Sequence, residues 1–253
     1  MKKSKPRTTD AQAHDPQAFL PERYPLHNFD EQHWQQFAEG ASLLGLNFSP
    51  AERSRLEALY SHLLGVNAWL NLTRLSSPEE YLRLHVLDSL SAFALVKQYS
   101  RPGELILDLG SGAGYPGLPL AMQLKDRKFL LLDSRRKKVE FLSHTIKLLP
   151  DSQLQALCFR GREVAAHSPE FHCQCALVMA RAVGTAADLL PDAEQLLRPG
   201  GHLLLFKGPR FLQEEKEHFE SVCRRLNFNL ELITPVNLEQ LGQERCLVLI
   251  KKL

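Results

Sequence analysis

The sequence contains one dense glycine motif whose residue types suit the binding of a nucleotide-like ligand. Gly110, Gly112, Gly114 and Gly117 follow directly after the apolar run 105–109. Glycines allow the backbone to approach a ligand closely where a strand turns into a helix. Residues 112–117 also match the pattern G-x-G-x-x-G of dinucleotide sites. A glycine turn that only tightens the packing of strand against helix is the alternative interpretation.

The first of two acids beside this motif favours S-adenosylmethionine over a dinucleotide, whereas the second is expected with either cofactor. Asp108 precedes the glycines, where a carboxylate is unfavourable beside a pyrophosphate and favourable beside the ammonium and sulfonium groups of S-adenosylmethionine. At 4 Å and an effective dielectric near 20, each such interaction is worth about 4 kcal/mol before desolvation. Asp133 ends the next apolar run, where an acid can accept hydrogen bonds from both ribose hydroxyls. Without the glycines, Asp133 would be interpreted as a solvated helix cap.

Basic residues follow two of the same apolar runs. Arg135, Arg136, Lys137 and Lys138 come directly after Asp133 at the start of a predicted helix, where positive charge opposes the helix dipole. The segment 207–210, Lys-Gly-Pro-Arg, follows a later run. Either group could contact RNA phosphates, and either could be an ordinary solvated surface.

Short apolar runs alternate with helical stretches after residue 103, which is typical of buried parallel strands joined by crossover helices. The predicted strands are 105–109, 128–133, 155–159, 176–180 and 202–207. The predicted helices are 117–124, 136–149, 186–197 and 212–226. Two last strands, 229–234 and 245–251, leave no room for a helix between them and are expected to pair as an antiparallel hairpin. We therefore predict an α/β, Rossmann-like class I methyltransferase fold with a mostly parallel seven-stranded sheet.

A layer of helices is predicted before the sheet. One helix begins after Asp30, and two begin at the capping boxes of Ser49 and Ser77, the last continuing to Leu95. The polar, proline-containing segment 1–29 shows no helical or strand period and is predicted to be a mobile tail. The expected organisation is thus a tail, 1–29, helices, 30–100, and a methyltransferase domain, 101–253, with the last two packed as one globular unit.

The overall composition sets limits on location and partners. The chain has 253 residues, 44% of them hydrophobic, but no apolar run near the ~18 residues that span a bilayer, and no signal-peptide core follows the basic N-terminus. Five cysteines without a metal-binding spacing indicate reduced thiols and no metal site. A net charge of +2 permits an RNA partner without requiring one. We expect a cytoplasmic monomer that does not bind membranes.

The sequence also narrows the chemistry of a methyl acceptor. It lacks the Asp/Asn-Pro-Pro-aromatic loop common in amine methylation, and none of its cysteines follows a proline, as in many cytosine C5 enzymes. A ring nitrogen such as guanine N7 carries a free lone pair and needs only to be held in line with the methyl group, without a general base. No catalytic residue is assigned.

The chain resembles the ribosomal RNA small-subunit methyltransferase G family, formerly glucose-inhibited division protein B, from about residue 41 to the C-terminus. The segments that carry the resemblance are Asn71-Leu72-Thr73, His85-Val86-Leu87-Asp88-Ser89-Leu90, the glycine motif 108–117, Leu132-Asp133-Ser134, Arg181-Ala182 and Lys207-Gly208. The resemblance implies N7 methylation of a guanine in 16S rRNA, with S-adenosylmethionine as donor and 16S rRNA or the small ribosomal subunit as partner.

The resemblance also implies site residues. Gly110 and Tyr115 would contact the methionine and ribose end of the cofactor. The adenosine would be bound by Asp133, Ser134 and Arg135, the adenine would lie between Arg162 and Glu163, and Arg181 would lie beside the cofactor. His85 and Asp88, three residues apart on the third helix, could face the cofactor or could only orient the helical layer.

Three other functions share some of these features. An oxidoreductase that uses NAD has the same fold and glycine pattern, but should also have an acid or base for hydride transfer and a substrate domain. A small-molecule methyltransferase would use the helical layer as a lid over an apolar pocket. A cofactor-binding fold could also serve as a non-enzymatic assembly module.

Overall fold

The computed structural model describes residues 15–253. Its strands are β1 (Leu105–Leu109), β2 (Lys128–Leu132), β3 (Gln153–Leu157), β4 (Cys175–Arg181), β5 (Leu197–Lys207), β6 (Phe228–Pro235) and β7 (Cys246–Lys252). They form one sheet in the order β3-β2-β1-β4-β5-β7-β6. Strands β1 to β5 are parallel, whereas β7 is antiparallel to both β5 and β6. The predicted α/β sheet with its C-terminal antiparallel hairpin is confirmed.

Helices cover both faces of this sheet because the parallel strands are apolar on both sides. The helices that follow β1 to β5 are α5 (Gly117–Gln123), α6 (Arg136–Thr145), α7 (Val164–His167), α8 (Ala186–Leu196) and α9 (Lys216–Arg225), the last preceded by a π-helical turn, Phe211–Glu215. Ile106 packs into a core shared with α5, α6 and the N-terminal helices, whereas its neighbour Leu107 packs into a second core with α8 and α9. Within 15–253, no helix is both long enough and apolar enough to cross a membrane.

The N-terminal layer consists of α1 (Glu31–Leu43), α2 (Pro50–Leu70), α3 (Pro78–Glu80, Tyr81–Leu87 and Asp88–Leu90) and α4 (Phe93–Gln98). The predicted starts are confirmed, since Asp30 caps α1, and Ser49 and Ser77 form capping boxes with Glu52 and Glu80. The third helix is not regular, however. Its middle part, Tyr81–Leu87, is π-helical, and a break after Leu90 separates α3 from α4.

Other boundaries differ from the sequence predictions. Strand β3 begins and ends two residues before the predicted 155–159. A short helical region between β3 and β4, which includes α7, was not predicted because its turns are too short to show an apolar period. The remaining strands and helices of the sheet region overlap their predicted positions.

The described part of the predicted tail is packed against the protein. Residues 15–29 contain two 3₁₀ turns, Pro16–Phe19 and Pro21–Arg23, and the side chains of Phe19 and Phe29 are buried. Phe19 O accepts a hydrogen bond from Nε2 of buried His62 at 2.9 Å. These aromatic residues follow no helical or strand period, so periodicity could not detect their burial. Residues 1–14 of the predicted tail lie outside the described residues.

Candidate functional site

The glycine loop, residues 110–117, lies at the carboxyl end of β1. Strand order reverses here, because β2 and β3 lie on one side of β1 and β4 and β5 on the other. In open α/β sheets, ligands bind outside the carboxyl ends of the strands at such a point. The N–H groups of Gly110 and Ser111 both donate to Leu132 O, at 2.7 and 3.0 Å, which joins the loop to the end of β2.

Gly110 is required by its conformation and by its surroundings. Its φ of +72° lies in the left-handed region, where a side chain is unfavourable. A Cβ atom at this position would lie 2.5 Å from Cγ2 of Val183, well inside van der Waals contact. The loop backbone therefore packs directly against the residues that follow β4.

Asp133 connects the loop to α6 through its carboxylate. Oδ2 accepts from Gly112 N at 3.0 Å, and Oδ1 accepts from Arg135 N at 2.9 Å. The ammonium group of Lys138 lies 3.8 Å from Oδ2. Each carboxylate oxygen has two lone pairs, so both oxygens can accept one further hydrogen bond from a ligand.

A first cleft, which we call the glycine-loop cleft, lies between the ends of β1, β2 and β3 and has a volume of about 160 Å³. It is lined by Leu109, Gly110, Leu132, Asp133, Ser134, Phe159, Arg160, Gly161, Val183 and Asp192. Three of the predicted site residues, Gly110, Asp133 and Ser134, are thus brought together. The sequence analysis missed Phe159 and Val183, because an apolar residue at the end of a strand cannot be distinguished from a core residue.

Asp108 lies beneath the loop and does not line this cleft. Its side chain is fully buried, and Oδ2 accepts from Gly117 N, the first residue of α5, at 2.8 Å. Oδ1 has no hydrogen-bond partner among residues 15–253. Burial raises the pKa of this carboxyl to about 7, although the Gly117 N–H and the charge of Arg181 oppose the shift. The structure therefore places Asp108 as a support of the loop.

The residues that the resemblance places at the adenine do not line the cleft. The side chain of Arg162 is 67% exposed, and its Nε atom lies 3.4 Å from Oδ1 of Asp192 on α8. Glu163 turns back and accepts from Arg160 N at 3.0 Å. Arg135 is exposed and precedes α6, beside Asp133.

Arg181 lies at the end of β4 on the opposite side of the loop. Its Nη1 atom donates to Leu84 O at 2.9 Å and to Oδ2 of Asp88 at 2.8 Å, both on α3. Its Nη2 atom donates to Nδ1 of His85 at 3.2 Å. Its guanidinium carbon also lies 5.8 Å from the centre of the Tyr115 ring. Helix α3 therefore holds one guanidinium group through three acceptors.

His85 is neutral in this arrangement. Burial, together with the nearby charge of Arg181, lowers its pKa to about 3. Because arginine can only donate, Nδ1 must accept, and the Nε2–H group donates to Oγ1 of Thr73 at 3.0 Å. The imidazole ring stacks on Tyr115 of the glycine loop at 4.5 Å between ring centres. The helical layer and the glycine loop are thus in direct contact.

Asp88 also accepts a hydrogen bond from a second arginine. Its side chain is fully buried, and its Oδ1 atom accepts from Nε of Arg245 at 3.2 Å. Both arginines line a second cleft, which we call the arginine cleft and which has a volume of about 180 Å³. Its lining consists of Ala180, Arg181, Ala182, Val183, Gly184, Leu189, Phe206, Lys207, Gly208 and Arg245, three cations and no acid. Val183 lines both this cleft and the glycine-loop cleft.

The two basic segments differ in their surroundings. Lys207 is paired, since its ammonium group lies 2.9 Å from Oε2 of Glu215. Arg136 and Lys137, at the start of α6, are exposed.

Within 15–253, no three histidine, cysteine, aspartate or glutamate side chains are arranged as a metal site.

Comparison with known proteins was made at the level of sequence and of structure. The family model described as GidB, rRNA small subunit methyltransferase G, matches residues 52–241. A protein named ribosomal RNA small subunit methyltransferase G from Lachnoclostridium phytofermentans is 33% identical over 85% of this chain and 88% of its own length. One of the same name from Gloeobacter violaceus is 34% identical over 83% and 82%.

Solved structures share the fold at low sequence identity. A SAM-dependent methyltransferase from Aquifex aeolicus superposes with a TM-score of 0.54 at 15% identity, covering 72% of this chain and 97% of its own. A predicted O-methyltransferase from Agrobacterium tumefaciens gives 0.51 at 20% identity, with 65% and 80% covered. These structures support the sheet topology, and the family model covers the whole lining of the glycine-loop cleft and all of the arginine cleft except Arg245. The chain belongs to the GidB family, rRNA small subunit methyltransferase G.

Proposed function

We propose that this protein transfers the methyl group of S-adenosylmethionine to N7 of a guanine in 16S rRNA, as free RNA or in the small ribosomal subunit, in the cytoplasm. Membership of the family supports the reaction class and the RNA acceptor. The observation that carries the proposal is the pair of clefts that share Val183 at the strand ends. The glycine-loop cleft contains the acid Asp133 at the end of β2, and the arginine cleft is lined by the cations Arg181, Lys207 and Arg245.

The residues of the glycine-loop cleft suit an adenosine. We assign Asp133 to the ribose, because both of its oxygens retain an acceptor position at the end of β2. Phe159 and Leu132 offer apolar surface to a base, and Ser134 offers a polar rim. Gly110 and Gly112 let the loop backbone approach the remainder of the cofactor. When bound, S-adenosylmethionine supplies an electrophilic methyl group on a positively charged sulfur.

The arginine cleft suits the acceptor. RNA carries a negative charge at each phosphate, and a cleft lined by Arg181, Lys207 and Arg245 attracts it. Guanine N7 needs no general base, and this lining contains no carboxylate that could act as one. His85 is buried and neutral, with both ring nitrogens engaged by Arg181 and Thr73. The residues here hold an acceptor in place and need not move a proton.

The test is methyl transfer with labelled S-adenosylmethionine. The purified protein should label 16S rRNA or small subunits, and strand scission selective for N7-methylguanine should locate the label at one guanine. Calorimetric titration should show binding of S-adenosylmethionine and not of NAD. Transfer only to small metabolites, or binding of NAD alone, would refute the proposal.

A further inference from the structure

We propose that Asp88 is a positioning residue, which holds Arg181 and Arg245 at the arginine cleft in the orientation that receives the RNA acceptor. The proposal rests on the proposed function for the identity of the acceptor. Asp88 itself is fully buried and would not touch RNA. It would act through the two guanidinium groups that it joins.

The π-helical part of α3 provides a backbone acceptor for Arg181. In a regular α-helix, the N–H of Asp88 would donate to Leu84 O, four residues earlier. Here it donates to Arg83 O and His85 O, five and three residues earlier, so Leu84 O does not take part in that bond and accepts from Arg181. The same segment presents His85 and Asp88 to the guanidinium. π-helical turns are frequent at functional sites, and this one aligns three acceptors with a single arginine.

The negative charge of Asp88 stabilises the close approach of two cationic side chains, Arg181 and Arg245. Its Oδ2 atom accepts from Arg181, 93 residues away in sequence, and its Oδ1 atom accepts from Arg245, 157 residues away. Removing one partner of a buried ion pair leaves uncompensated charge, which is strongly unfavourable. Without the carboxylate, the two cations would repel each other and move apart. The helical layer thus fixes the end of β4 and the start of β7 relative to each other.

Arg181 and Arg245 have further N–H groups that Asp88 does not bind, and both residues line the arginine cleft. Three contacts to α3 occupy both N–H groups of Nη1 and one of Nη2 in Arg181, which leaves Nε–H and one Nη2–H without an acceptor among the described residues. Among the described residues, Arg245 donates only through Nε, and its Nη1 atom lies near Gly208 in the cleft lining. One carboxylate between two guanidinium groups leaves a net positive charge facing the cleft. The direction of these free donors is what Asp88 sets.

The experiment compares Asp88→Asn with a matched control, Asp151→Asn, which removes a carboxylate paired to Arg55 on the surface, away from both clefts. We expect Asp88→Asn to lower kcat/KM for the rRNA substrate on the order of 10²-fold, because a misplaced binding group loses alignment. KM for RNA should rise, whereas Kd for S-adenosylmethionine should change less than about threefold. The control should retain wild-type kinetics.

A double-mutant cycle separates positioning from general stabilisation. In an Arg181→Lys background, where the forked contacts are already lost, Asp88→Asn should cost less than about fivefold in kcat/KM. If Asp88 only stabilises the fold, its effect would be the same in both backgrounds, and the proposal would be wrong. Should Asp88→Asn fail to fold, Asp88→Glu replaces it, since glutamate keeps the negative charge but its longer side chain displaces the carboxylate that both guanidinium groups contact.

One measurement does not depend on methyl transfer. The signals of the two N–H groups that Asp88 accepts from, Nη1–H of Arg181 and Nε–H of Arg245, should be sharp and slowly exchanging in the wild-type NMR spectrum and should broaden in Asp88→Asn. A wild-type protein that is inactive on RNA but shows these ordered signals would refute the proposed function and leave the positioning of both arginines supported. Signals that are equally ordered in both proteins would overturn the role of Asp88, whatever the activity.

Discussion

The two clefts on either side of the glycine loop are built in different ways. The glycine-loop cleft takes its shape from the backbone, through positive φ at Gly110 and through N–H groups that donate to Leu132 and Asp133. The arginine cleft is assembled by side chains from α3, β4 and the start of β7, of which Asp88 and Arg245 are 157 residues apart. The glycine-loop cleft should therefore be sensitive to changes of backbone conformation, and the arginine cleft to changes of side-chain charge.

The largest effect on cofactor binding is expected from Gly110→Ala. The new Cβ would contact Val183 at 2.5 Å, and φ of +72° is unfavourable for alanine. Either the loop or Val183, which lines both clefts, must shift, so affinity for S-adenosylmethionine should fall on the order of 10²-fold or more, as measured by calorimetry.

A matched control for this variant is Gly103→Ala. Gly103 has a similar φ of +79°, but a Cβ there would meet nothing within 4 Å. It should therefore show the conformational cost alone, about 1 to 2 kcal/mol of stability, with cofactor affinity unchanged. Equal losses of affinity in the two variants would contradict the view that the position of the loop backbone defines the first cleft.

A smaller loss is expected from Asp133→Asn, the main side-chain contribution to the glycine-loop cleft. The amide retains one acceptor for Gly112 N or Arg135 N, but loses the charge that strengthens hydrogen bonds to ribose hydroxyls. Cofactor affinity should fall about tenfold, or 1.4 kcal/mol. Asp151→Asn is again the control. An unchanged affinity would show that the ribose lies elsewhere.

The same difference between local backbone features and long-range side-chain contacts explains which parts of the fold the sequence could predict. Capping boxes at Ser49 and Ser77 and the alternation of apolar runs with helical stretches are local signals, and they located most strands, most helices and the C-terminal hairpin. The π-helical segment of α3 was not predicted, because its apolar spacing is compatible with a regular helix. The packing of residues 15–29 was missed because Phe19 and Phe29 follow no period.

The sequence predicted the residues of the glycine-loop cleft better than those of the arginine cleft. Gly110 and Asp133 follow apolar runs, and parallel strands bring their carboxyl ends to one edge, so local patterns were sufficient. His85 and Asp88 were recognised only as a pair with two possible roles. Their partner Arg181 lies over 90 residues away, and nothing local to α3 indicates it. Arg245 was not identified at all, since a single arginine before a strand carries no signal.

Asp108→Asn should have little effect on cofactor affinity, less than about threefold, because the carboxyl is beneath the loop and Asn can still accept from Gly117 N. It should instead change the pH dependence of stability. Burial raises the pKa of Asp108 to about 7 in the folded protein, from an ordinary value of 3.8. The folded state therefore holds a proton that the unfolded state has lost between these two values.

The stability that Asp108 contributes is complete below pH 3.8 and is lost as the pH rises through about 7. Wild-type stability should fall relative to Asp108→Asn by about 1.4 kcal/mol per pH unit across this window and level off above it. Urea unfolding from pH 4.5 to 8 measures the difference. His62 and His85, with pKa values lowered to about 4 and about 3, act in the opposite direction, but they are present in both proteins and cancel. A constant difference would show that Asp108 is ionised throughout.

The smallest effect is expected from Arg162→Ala, although the family resemblance places this residue at the adenine. Its side chain is 67% exposed and directed to Asp192, which itself lines the glycine-loop cleft. Loss of an exposed ion pair costs about 1 kcal/mol of stability or less. Because Arg162 does not line the cleft, cofactor affinity should change less than about twofold. Asp192→Asn, which alters the lining itself, should have the larger effect of the two. If Arg162→Ala instead weakens binding tenfold, a side chain that is exposed in this structure must fold over the bound adenosine, and the first cleft would then depend on side chains as much as the second.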